Sequence, residues 1–204
     1  RIHLDGLDAP MMRNSLPLIG MPAAFAAGAT GNNWRVAVLD TGGRRSHEFL
    51  SQQIISAACY STTDASEQST SLCPGGVSSS TNIASADDCS RATIFGCGHG
   101  THVAGTAAGF HLNPNGTNPD YGLARNARIV SINVFSQFAR TSPYCGGLSA
   151  QYTGGCALTW TTDQIRGLER VYALRNSMNI AAVNMSLGGG SNFSACDTDT
   201  RKPI

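Results

Sequence analysis

Three short apolar runs separated by helical periodicity constrain this chain more than any other feature. "WRVAVLD" (34–40), "ARIVSINVF" (127–135) and "IAAVNMSLGGG" (180–190) are each seven to eleven residues long, contain apolar and β-branched residues and are bounded by glycine or polar segments. They read as buried strands. Between the second and third lies "TTDQIRGLERVYALRNS" (161–177). Its Thr161 and Gln164 have capping-box spacing, and Ile165, Leu168, Val171 and Tyr172 recur at helical intervals. Strand, helix, strand in that order predicts an α/β fold with a parallel sheet flanked by helices. In such sheets ligand chemistry collects at the carboxyl ends of the strands. That rule draws attention to Asp40 and to the segment around Ser186.

The remaining chain is read around this frame. Residues 1–20 suggest an irregular arm, "MPAAFAAGA" (21–29) a short helix ending at Gly28, and "GHGTHVAGTAAG" (98–109) a helix of small residues packed closely on the sheet. Residues 51–98 are rich in Ser, Thr and Cys with no sustained period, which predicts a long excursion pinned by disulfides. No linker or internal repeat divides the 204 residues.

Charged residues make up only 13% of the chain and the formal net charge is +1, so a nucleic-acid surface held by charge is not expected. No apolar run is long enough to cross a bilayer, and no membrane partner is expected. The seven cysteines lie in Ser/Gly-rich surroundings without metal-finger spacing. They indicate disulfides and an exported protein, with Cys89–Cys97 and Cys145–Cys156 among the pairings open to them. Seven is odd, so one cysteine needs a partner elsewhere, and Cys196 is the candidate.

Asp40 opens an Asp-Thr-Gly tripeptide. One use of such an aspartate is to share a proton with an equivalent carboxylate, but no second Asp-Thr-Gly occurs; "CDTDT" (196–200) lacks the glycine. The other use is to orient a histidine. His99 and His102 lie three apart on one helix face, which also allows metal ligation, although no Glu stands beside His99 as in HExxH and no third ligand is evident.

"VAVLDTGG", then "GHGTHVAGT", then "VNMSLGGG", in this order, resembles the catalytic domain of the subtilisin-like serine proteases, the subtilases. "GMPAAFAAGATGNNWRVAVLDTG" and "YGLARNARIVSINVF" resemble the family's leading helix and central strands, so the likeness extends over most of residues 18–190. The eight-residue "HGTHVAGT" carries most of its specificity. The resemblance implies that Asp40 and His99 are the aspartate and base of an Asp-His-Ser triad. It places His102 in helix-to-sheet packing. Ser186, Leu187 and Gly188 become a strand whose backbone pairs with extended polypeptide substrate, with "GCALTW" (155–160) near the substrate's other edge.

Ser186 lacks the GTSMA-type surroundings of the family's nucleophile, and no Gly-Thr-Ser occurs in the chain. The expectation is therefore the N-terminal part of one peptidase domain, spanning 1–204, that is inactive alone. Its serine and oxyanion groups would lie on a further segment or second chain, which Cys196 would join by a disulfide. Structural calcium is implied by the resemblance, without identified ligands, and no cofactor is expected for catalysis. The function expected is secreted serine endopeptidase. The alternatives are a peptide-binding homologue without catalysis, or a metal-dependent hydrolase using His99 and His102.

Overall fold

The computed structural model describes residues 12–87, 89, 92–112 and 120–188. Two short helices, α1 (Met12–Leu18) and α2 (Met21–Ala26), precede β1 (Arg35–Asp40) and β2 (Ile54–Tyr60). Short strands β3 (Ser69–Ser71), β4 (Ser79–Ser80) and β5 (Ile94–Phe95) lead to helix α3 (His99–Ala108). A ribbon of β6 (Phe110–His111) and β7 (Asp120–Tyr121) follows, then β8 (Arg128–Asn133), β9 (Phe135–Phe138) and β10 (Gly155–Thr159). Helix α4 (Thr161–Leu174) and β11 (Ile180–Asn184) complete the described elements.

The central sheet has the order β11-β1-β8-β2-β4. Strands β11, β1, β8 and β2 are parallel, and β4 is antiparallel to β2. Side chains on a strand alternate between faces, and β1 divides its residues accordingly. Ala37 and Leu39 join a core with Val130, Ile132, Val171 and Leu174, on the α4 side. Val36 and Val38 pack with Ile129, Ala104 and Ala108, on the α3 side. The result is three layers, helix on sheet on helix, as the α/β expectation required.

Several local expectations are corrected. The 51–98 excursion contains a core strand, β2, whose Ile54, Ala57, Ala58 and Cys59 are buried. Residues 12–18 of the supposed arm are helical. Helix α4 is not held by a Thr161 capping box, because Trp160 is the N-cap and no side chain caps it. Its inward face is Asp163, Gly167, Val171 and Leu174, while Ile165 and Tyr172 are exposed. Instead of a cap box, buried Asp163 fastens the helix start: its carboxylate accepts the Thr62 backbone N–H at 2.9 Å and the Thr62 hydroxyl at 3.1 Å. Burial nonetheless pushes the Asp163 carboxyl above the ordinary carboxylate value, with the Thr62 bonds and Arg166 opposing that shift.

A second sheet, β3-β9-β10-β5, joins two short strands of the 51–98 excursion to β10 and to β9, which takes Phe135 from the end of the 127–135 run. Disulfides Cys59–Cys73, Cys89–Cys97 and Cys145–Cys156 close loops with sequence separations of 14, 8 and 11. Chain-entropy reasoning assigns about 3 kcal/mol to a loop of ~15 residues. Cys196 lies outside the described residues, as do residues 1–11. No helix among the described residues is long and apolar enough to cross a membrane.

Candidate active site

Strand parity places the Asp40 side chain. Val36 and Val38 face α3, so Asp40 faces it too, at the carboxyl end of a central strand. There the carboxylate is fully buried, and Oδ1 accepts the Thr41 backbone N–H at 2.7 Å. A buried carboxylate needs a donor on each side to offset lost hydration. His99 is the other donor: Nδ1 lies 2.8 Å from Oδ1 and 3.0 Å from Oδ2. A carboxylate only accepts, so the proton of this contact belongs to His99 Nδ1. In the neutral ring Nε2 then carries the lone pair. Nε2 has no hydrogen-bond partner among the described residues, and the side chain is 49% exposed.

The start of α3 reaches Asp40 because it carries little bulk. A Cβ on Gly100 would run into the Gly42 carbonyl oxygen and come within 3.0 Å of the Asp40 Cβ. Glycine permits that approach, and two threonines fasten it. Thr41 Oγ1 accepts the buried Gly100 N–H at 3.0 Å, and Thr101 Oγ1 accepts the Arg44 N–H at 3.0 Å. Thr41 was not singled out from sequence. The available signal was its place in Asp-Thr-Gly, where its amide and hydroxyl can serve two partners at once.

His102 is not in the helix-to-sheet packing: it is exposed. The buried residues of α3 are Gly100, Ala104, Gly105 and Ala108. At ~100° per residue, position 102 lies about 200° from both 100 and 104, on the outer side. Among the described residues, no group of three or more His, Cys, Asp or Glu is placed to hold a metal ion.

Ser186, Leu187 and Gly188 follow β11, which among the described residues is an edge strand of the central sheet. Ser186 and Gly188 are exposed, and Leu187 is half-buried against the α4-side core. The Ser186 hydroxyl donates to Asn184 Oδ1 at 2.8 Å. A Cβ on Gly188 would meet no atom of the described residues within 4 Å. Residues 155–159 form β10, between β9 and β5 in the second sheet. The structure therefore brings Asp40 and His99 into contact, and leaves Ser186–Gly188 as a separate open segment.

Comparison with known proteins adds an independent line. A model of the Subtilase family matches residues 31–202. The chain is 32% identical over 107 residues to a subtilisin-like protease of Coccidioides posadasii, covering 52% of this chain and 20% of that protein. Against subtilisin-like protease 3 of Trichophyton tonsurans the identity is 33% over 106 residues, covering 52% and 21%. Against an extracellular serine proteinase of a Thermus species it is 29% over 201 residues, covering 98% and 34%. The chain thus spans between a fifth and a third of the length of these relatives. With the Asp-His contact in the position that the motifs anticipate and the family match extending over most of the residues, the chain belongs to the subtilase family.

Proposed function

We propose that this chain supplies the aspartate and the base of an Asp-His-Ser triad in a secreted serine endopeptidase of the subtilisin type. The observation that carries the reading is the His99 ring, held through Nδ1 by buried Asp40 and open at Nε2. A serine hydroxyl attacks a peptide carbonyl only when a base takes its proton. His99 Nε2 takes it, then returns it to the leaving amine, while Asp40 keeps the tautomer and stabilises the imidazolium. The chain order Asp then His agrees with that given for subtilisin, whose serine follows both.

The nucleophile and the oxyanion donors come from residues outside these 204, on a continuation of the chain or on a nicked segment joined through Cys196. The substrate is an extended polypeptide lying along the backbone of Ser186, Leu187 and Gly188. Export is supported by the three disulfides and by the Thermus relative, which is named as extracellular. A structural calcium, held by carboxylate, amide and backbone carbonyl oxygens, would brace loops of such a domain, and no catalytic step is assigned to it.

A fluorophosphonate probe tests the assignment in the intact protein. The expected label is on a serine outside residues 1–204, with labelling lost in H99A. Label on a serine between 1 and 204 overturns it.

A further inference from the structure

We propose that the Cys89–Cys97 disulfide is a positioning device for His99, bracing the start of α3 against the loop that follows Asp40. The proposal rests on the reading of Asp40 and His99 as a catalytic pair. Helix α3 begins at Gly98, which has φ 93° and supplies no side-chain cap. Gly96 shares that left-handed conformation, also at φ 93°. A helix entered through two glycines and no cap has little local definition of its own, because glycine fixes no backbone geometry by sterics. Cys97 stands between them, and its disulfide is the covalent tether of this turn.

The far end of that tether is anchored on the Asp40 loop. Just before Cys89, Ala86 O accepts the Gly43 N–H at 2.8 Å and Asp87 Oδ1 accepts the Arg45 N–H at 3.1 Å. The Ala86 and Asp87 carbonyl oxygens lie 2.7 and 2.9 Å from where a Gly42 Cβ would stand, so only glycine at φ 91° admits this contact. The parts close a ring: Asp40 to Gly43 along the chain, across to Ala86, on to Cys89, through the disulfide to Cys97, then to His99 and back to Asp40. Sliding His99 relative to Asp40 works against the links of that ring. Misplacing a catalytic group by about 1 Å costs on the order of 100-fold in rate, so such a ring acts on turnover more than on substrate binding.

Removing the bridge as C89A/C97A in the intact protein tests this. The expected result is a fall in kcat of about 10- to 100-fold, with KM within about twofold. The low-field Nδ1–H proton resonance of His99 should broaden or vanish. The comparison variant is C59A/C73A, which opens a loop of separation 14 instead of 8 and so loses at least as much chain-entropy stabilisation. Lying outside the ring, it should keep both kcat and the low-field resonance. D87A, which breaks a non-covalent link at an exposed residue, should lower kcat in the same direction by a smaller factor.

Unchanged kcat and resonance in a folded C89A/C97A protein overturn the proposal, as does an equal loss in C59A/C73A. If C89A/C97A does not fold, D87A decides: reduced kcat with a weakened resonance supports the ring, and wild-type values overturn it. Absence of peptidase activity and of fluorophosphonate labelling in every form, with the resonance still lost in C89A/C97A, sinks the catalytic reading and leaves the brace standing.

Discussion

The carboxyl ends of two neighbouring strands of the central sheet, β1 and β11, are built in opposite ways. At β1 the residues Ala37 to Gly43 are buried, and the Asp40 carboxylate, the Thr41 hydroxyl and Gly100 form a closed set of contacts. At β11 the residues Ala181, Ala182 and Val183 are exposed, and Ser186 and Gly188 stand beyond them with open space around Gly188. The Asp40–His99 contact is thus held within closely packed residues, whereas β11 is an edge strand among the described residues. An edge of that kind invites another strand. The difference teaches that the described residues order the Asp40–His99 contact by themselves and leave the far side of β11 uncovered among them.

One substitution made at both ends sharpens the contrast. Gly100→Ala must push the Gly42 backbone away from α3, with an expected loss at or beyond the upper part of the ~1–3 kcal/mol typical of overpacking. Gly188→Ala meets no atom of the described residues and should stay within about 0.5 kcal/mol of the parent. Denaturant midpoints of the two variants check this, and equal losses would erase the distinction. Thr41→Val should come next, at about 1–2 kcal/mol, because it leaves the buried Gly100 N–H without its acceptor. Wild-type stability in that variant would mean that the glycine contact alone holds α3.

The smallest expected effect is a pH dependence at α4, away from both ends. Folding raises the Asp163 carboxyl above its unfolded value, so the folded state binds the proton more tightly. Stability from this group is therefore present at low pH and falls as pH rises from about 3.9, the ordinary aspartate value, through the folded value. Thermal unfolding at pH 4 and pH 7 should show wild type losing more stability than D163N across that interval. A gain by wild type over the same interval would mean that the Thr62 and Arg166 contacts outweigh burial.

The frame of the fold was legible wherever burial left a period. "WRVAVLD" became β1, "ARIVSINVF" was divided between β8 and the start of β9, "IAAVNMSLGGG" is a strand only over its first five residues as β11, and small residues marked α3. Strand β2 escaped notice because "IISAACY" mixes Ala, Ser and Cys and sits among Ser- and Thr-rich segments, so it lacks the sustained apolar run that marked β1 and β8. The second sheet escaped for a related reason: strands such as Ile94–Phe95 and Ser69–Ser71 are two or three residues long and exist through non-local pairing. At the site, Asp40 and His99 were visible through their motifs. Ala86, Asp87 and the Gly42 contact were not, because backbone carbonyls carry no sequence signature. His102 was misplaced for want of the helix phase, which only the buried set Gly100, Ala104 and Ala108 defines.

The central claim is that Asp40 and His99 act as one unit on the nucleophile's proton, and a double-mutant cycle in the intact protein tests it most directly. Each single change, D40A or H99A, should lower kcat by on the order of 10⁴-fold or more, as in subtilisin itself. If the two residues form one device, D40A/H99A should be no slower than H99A alone within experimental error. Multiplicative losses, with the double variant slower than H99A by the full D40A factor, would contradict the account.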